Sequence, residues 1–87
     1  MSKNNSLEIL KEAISYHQQG KLDKAEEIYQ KLLSINENNI YALNFLGCIQ
    51  REKKNFKKGI ELLKRATYLQ PDYFDAHYNL GNAYKEN

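Results

Sequence analysis

Ala42-Leu43-Asn44-Phe45-Leu46-Gly47 recurs 34 residues later as Ala76-His77-Tyr78-Asn79-Leu80-Gly81. Working outward at the same interval, Ala13 precedes Gly47, Leu22 precedes Phe56, Ala25 precedes Gly59, Leu32 precedes Ala66 and Ile35 precedes Leu69. A fixed period of this length predicts a stack of like units. It argues against a closed globule built around one catalytic pocket. The chemistry it favours is binding or scaffolding.

Apolar residues recur every three or four positions, and sustained period-2 alternation is missing, so the spacing predicts helices and no strand. The first helix is expected from about Ser6 to Gln19, with Ile9, Leu10, Ala13, Ile14 and Tyr16 inward. Asn5 followed by Glu8 resembles a capping box, and Gly20 supplies the stop. The second helix is expected over Leu22 to Ile35, with Leu22, Ala25, Ile28, Tyr29, Leu32 and Ile35 as its stripe. Its early Asp23, Glu26 and Glu27 favour the positive end of the helix dipole. Asn36-Glu37-Asn38-Asn39 reads as a turn that offers a cap to a third helix, Ile40 to Lys53, with Ala42, Leu43, Leu46, Gly47 and Ile49 inward. Asn55 is expected to cap a fourth helix carrying Phe56, Ile60, Leu63, Ala66 and Leu69. Pro71 stops it, and Asp72 is expected to cap a fifth, near Tyr73 to Glu86. Connections this short force consecutive helices into antiparallel pairs.

Small residues recur in register. Ala13, Gly47 and Gly81 share one position, and Ala25 and Gly59 another. A mid-helix glycine costs about 1 kcal/mol relative to alanine. Close approach of a neighbouring helix is the expected compensation, with a large side chain such as Leu22 or Phe56 over the gap.

Composition narrows the class. The chain has 87 residues, a net charge of +2 and one cysteine. That length allows one small domain. A lone cysteine excludes an internal disulfide. The opening Met1-Ser2-Lys3-Asn4-Asn5-Ser6 is followed by no apolar run of the secretory kind, and no segment is apolar enough to span a bilayer. A cytoplasmic setting is the expectation.

These residues resemble the tetratricopeptide repeat, whose pattern runs large residue, Leu-Gly, Tyr, Ala, aromatic, Ala, Pro over 34 residues. Residues 6–39 carry Ile9, Ala13, Tyr16, Gly20, Ala25, Tyr29 and Leu32. Residues 40–73 carry Leu43, Leu46-Gly47, Gly59, Leu63, Ala66 and Pro71. Residues 74–87 carry His77, Leu80-Gly81 and Tyr84, the first helix of an incomplete third repeat. Residues 1–5 are expected to be a disordered or capping segment. Glu12, Gln50, Leu32 and Glu37 depart from the pattern and are expected to loosen local packing. The resemblance implies an all-α, right-handed α-solenoid of antiparallel helix pairs, about two and a half repeats in five helices.

It also implies that the first helix of each repeat lines a concave groove for an extended peptide or a partner protein. The candidates so placed are Leu7, Leu10, Ile14 and His17, then Tyr41, Asn44, Cys48, Arg51 and Glu52, then Asp75, Tyr78, Asn79, Asn82, Lys85 and Glu86. Asn44, Asn79 and Asn82 stand out, because a side-chain amide both donates to and accepts from a backbone. Asn79 matches a groove asparagine of protein-glycosylating members. The bland alternative is a solvated polar face. The carboxylate clamp of chaperone-tail-binding members is not matched: its positions hold Leu10, Ile14, Phe45, Asp75 and Asn79, and Asp75 repels an anion.

Other chemistry is thinly represented. Arg51, Lys53, Lys54, Lys57, Lys58, Lys64 and Arg65 face only Glu52 and Glu61, a local net of +5. Such a patch attracts nucleic acid or an acidic protein, although the cluster straddles a turn and an outer helix face. Cys48 has Arg51 one turn away but no base in register, so it reads as a small packing residue. His77 falls where repeats place a packing residue, and His17 ends the first helix. Two dispersed histidines and one cysteine make no metal site, and no cofactor motif appears. His77, Leu80, Gly81 and Tyr84 face the place of a missing sixth helix and are candidates for self-association. The expected function is a noncatalytic protein–protein interaction scaffold. The rival readings are a substrate-presenting segment of a larger enzyme, such as a protein glycosyltransferase, and nucleic-acid binding through residues 51–65.

Overall fold

A computed structural model describes residues 5–87. Five helices follow one another: α1 (Asn5–Gln18), α2 (Leu22–Ile35), α3 (Ile40–Glu52), α4 (Phe56–Leu69) and α5 (Phe74–Glu86). No strand occurs among the described residues. Consecutive helices pack as antiparallel pairs, and the pairs stack into a body of 42 × 28 × 18 Å, elongated as a solenoid rather than rounded. Polar contacts join α1 to α3 and α3 to α5, so the odd-numbered helices lie side by side in one layer. The even-numbered helices form the other.

The ends of the helices show how local chemistry sets the frame. Gly20 has φ of 78° and closes α1 with the Gly20 and Lys21 amides donating back to His17 and Tyr16. Lys54 stands 34 residues later with φ of 68°, and the Lys54 and Asn55 amides donate to Arg51 and Gln50 in the same way. A lysine therefore holds the left-handed position that glycine fills in the first repeat. Asn39 caps α3: its Oδ1 accepts from the Tyr41 and Ala42 amides, both at 3.1 Å.

Two expected caps are not made. Asn55 precedes α4, but its side-chain amide donates instead to Gln50 Oε1 at 2.9 Å. Tyr73 occupies the residue before α5, and Asp72 accepts from Gln70 within the preceding turn. Asn5 lies inside α1, so the position that would cap it falls outside the described residues. So does the expected terminal segment, apart from Asn5.

The main core gathers Ala13, Ala25, Ile28, Tyr29, Leu32, Ala42, Leu46 and Ile49. Leu43, Ala66 and Ala76 form a second cluster, and Leu33 and Leu62 pack against both. Ile35 and Leu69, expected inward, are exposed, and each is the last residue of its helix.

The close approach lies between α3 and α4. A Cβ on Gly59 would sit 3.0 Å from the Gly47 carbonyl oxygen, and one on Gly47 would sit 2.7 Å from Leu63 Cγ. The side chain over the notch is thus Leu63, not Phe56, which is half-buried. A Cβ on Gly81 would meet nothing within 4 Å, since among the described residues no helix packs on that side of α5.

Candidate binding face

The odd-numbered layer holds every groove candidate, but in unequal states. Leu10 and Ile14 are half-buried against the main core, and Leu7 is exposed. His17 sits between two helices, Nδ1 3.4 Å from the Tyr29 hydroxyl and Nε2 3.3 Å from Glu52 Oε1. Its ring stands edge-on to Tyr29 and Phe45, which stack on each other with centroids 5.7 Å apart. This aromatic wedge fills the joint between the first two repeats, and it fixes the floor of the face at that point.

Asn44 is 1% exposed, so its amide is not presented to a ligand. Its Nδ2 donates to the Tyr73 hydroxyl at 3.1 Å, and its Oδ1 accepts from Asn79 Nδ2 at 3.0 Å. Burial and this exchange make it an internal tie between repeats, because a buried amide left unpaired is costly. Burial also pushes the Tyr73 hydroxyl up to about 12, against the opposing pull of the Asn44 bond. Asn79 spends one donor on Asn44 and remains half-buried, with Asn82 also half-buried one turn on.

Cys48 is buried, and burial pushes its thiol up to about 11 despite Arg51 nearby. It has the character of a packing residue, not a nucleophile. Arg51 Nη1 donates to both carboxylate oxygens of Glu86, at 3.1 and 3.3 Å. Tyr41 is exposed and meets Tyr73 edge-on at 5.8 Å. Tyr78 is 72% exposed, and Asp75 and Lys85 lie in solvent. The exposed candidates are therefore Leu7, Tyr41, Glu52, Asp75, Tyr78 and Lys85, with Asn79 and Asn82 partly accessible beside the Arg51–Glu86 pair.

In the first turn of α5, His77 is exposed, with Nε2 2.8 Å from the Pro71 carbonyl oxygen, so the packing role expected of it is not seen. Leu80 is half-buried, and Gly81 and Tyr84 are exposed.

Sequence reasoning missed a polar joint. Gln50, expected to loosen packing, is 2% exposed and donates to Glu26 Oε2 at 2.9 Å while accepting from Asn55. Lys53 Nζ bonds Asp23 and Glu26, each at 2.6 Å. These bonds hold the carboxyls of Asp23 and Glu26 below their ordinary values, with Lys53 as the leading cause. They commit Lys53, as Glu86 commits Arg51, so the basic run is less free than its composition suggests. No helix among the described residues is long and apolar enough to cross a membrane.

Paired helices stacked in register, with one layer presenting polar and aromatic side chains, define a helical-repeat binding module. The chain belongs to the tetratricopeptide repeat family: residues 8–39 match the family described as tetratricopeptide repeat and residues 47–87 the one described as TPR repeat. Mouse protein O-mannosyl-transferase TMTC3 is 32% identical over 81 residues, covering 92% of this chain. The chain spans 9% of that relative's length. An O-GlcNAc transferase variant from Thermobaculum terrenum superposes with a TM-score of 0.90 at 29% identity, over 95% of this chain and 16% of that one. The second TPR of Spaghetti (RPAP3), bound to an HSP90 peptide, superposes at 0.87 with 16% identity, over 95% of this chain and 77% of that one. At that identity the likeness concerns the fold alone.

Proposed function

We propose that the chain is a noncatalytic interaction module that holds an extended peptide or partner segment along its odd-numbered helices. One observation carries this reading: Tyr41 of α3 and Tyr78 of α5 are exposed, and Asn79 and Asn82 of α5 are partly exposed, offering ring faces and side-chain amides. Aromatic faces cover apolar side chains, and amides bond backbone without regard to sequence. Capture from a lysate by wild type, compared with Tyr78→Ala plus Asn82→Ala, tests it. Loss of a prominent partner with unchanged circular dichroism is the expected result. Unchanged capture sinks the reading.

The likeness to two glycosyltransferases favours a second reading, in which the segment presents substrate to a catalytic domain of the same polypeptide. The nucleic-acid reading is weakened by the pairing of Arg51 and Lys53. The open side of α5 supports self-association as well. The notch at Gly81, between Leu80 and Tyr84, is the counterpart of the one that Leu63 fills at Gly47. Light scattering over a concentration series should show association by wild type and its loss in Leu80→Glu; a strict monomer in both rejects it.

A further inference from the structure

We propose that the cleft between the 36–39 turn and the last turns of α4, on the layer opposite the candidate groove, docks an acidic peptide segment carrying a bulky apolar side chain. The cleft has a volume of about 440 Å³ and is lined by Asn38, Lys64, Arg65, Tyr68 and Leu69. Tyr68 is 84% exposed and Leu69 also lies open, so a ring and a branched aliphatic group meet water at adjacent positions.

The charge beside them is uncompensated. Arg65 Nη2 donates to the Glu37 carbonyl oxygen at 2.8 Å and to Asn38 Oδ1 at 3.3 Å. Both partners are neutral oxygens, so the guanidinium is pinned in orientation while its charge remains unpaired. Among the described residues no carboxylate comes within 4 Å of Arg65 or Lys64, whereas Arg51 and Lys53 in the same basic run are both paired. Glu37 on the turn and Glu61 one turn earlier on α4 are the acidic neighbours, and both are exposed.

A pinned guanidinium can still pair with a carboxylate through its Nη1 and Nε donors, since Nη2 is held by the turn, and less freedom is lost because the group is already oriented. Lys64 adds a second positive point on the same rim. The ring of Tyr68 and the side chain of Leu69 then cover an apolar group from the same segment. Nucleic acid fits less well: its affinity scales with the number of phosphates neutralised, and two cations beside an apolar cleft neutralise few.

The test uses a labelled nine-residue peptide with one Leu flanked by Asp and Glu. Two controls replace its acids by Asn and Gln or its Leu by Ser, and a thymidine oligonucleotide serves as a third probe. Amide shifts map the contact, and fluorescence anisotropy gives affinity. The acidic peptide should move Asn38, Arg65, Tyr68 and Leu69, and each control peptide should bind about tenfold more weakly. Arg65→Gln should weaken binding similarly. Because Arg65 also ties the turn, Lys64→Gln and Tyr68→Ser, at exposed positions, should each weaken it independently with helicity retained. The proposal is overturned if the uncharged control binds equally, if the shifts fall on Tyr78 and Asn82, if only the oligonucleotide binds, or if millimolar peptide moves nothing.

Discussion

Gly47 and Gly59 let the backbones of α3 and α4 meet, whereas Gly81 faces open space. Gly59 and Gly81 should answer substitution differently. In Gly59→Ala the new Cβ presses on a backbone oxygen at 3.0 Å, which cannot swing aside. Overpacking of this kind costs about 1–3 kcal/mol. It outweighs the roughly 1 kcal/mol that alanine gains in helix propensity. Gly81→Ala meets open space and should keep that gain. Urea midpoints should fall for the first and rise for the second; equal shifts would show that the contact is not limiting. Lys54 makes a second residue-scale case. A non-glycine residue in the left-handed region costs about 1–2 kcal/mol, so Lys54→Gly should stabilise by about 0.5–1 kcal/mol after glycine's own entropy loss. A lower melting temperature would contradict this. The Gly20 stop was legible in the sequence, because glycine announces it. At Lys54 the end of the helix was legible too, but its left-handed backbone was not, because there the three-dimensional frame imposes the conformation on a residue that disfavours it.

At the scale of elements, the joints between repeats follow a rule. His17–Glu52, Arg51–Glu86 and Asn44–Asn79 are each 35 residues apart. One repeat plus one residue brings a side chain diagonally onto the neighbouring odd-numbered helix, as stacked helices with a small offset require. The sequence carried this signal, hidden one step from the 34-residue period that the apolar pattern made obvious. It would have moved Asn44 from the groove to the joint. The even-numbered side uses Lys53, which clasps Asp23 and Glu26 of α2. Both carboxyls have folded values below their usual 3.8 and 4.5. A depressed carboxyl stabilises the fold above its unfolded value and loses that contribution as pH falls through the folded one. The stability difference between wild type and Lys53→Met should therefore shrink as pH drops below 4.5. Denaturation at a series of pH values measures it, and a gap that widens in acid would refute the assignment.

Across the whole molecule, burial in the odd-numbered helices is greatest at the centre of the stack and falls toward both ends, with one buried residue in α1. Eight residues of α3 are buried, against two of α5. Elements with few buried contacts open at lower free energy than the global transition. Hydrogen exchange should thus be slowest in α3 and faster in both α1 and α5, with the order read directly from amide protection; uniform protection would mean the stack opens only as a unit. The sequence by itself determined the five helices, their antiparallel pairing and the family, since a repeating apolar stripe can be buried only by laying like units together. The tertiary structure alone decided which polar side chains remain available. Asn44 and Asn82 look alike in one dimension, yet Asn44 is spent inside a joint and Asn82 is not. The difference arises because accessibility depends on the neighbour's position in space, and a helical period reports which side of a helix a residue occupies without reporting what comes to rest against it.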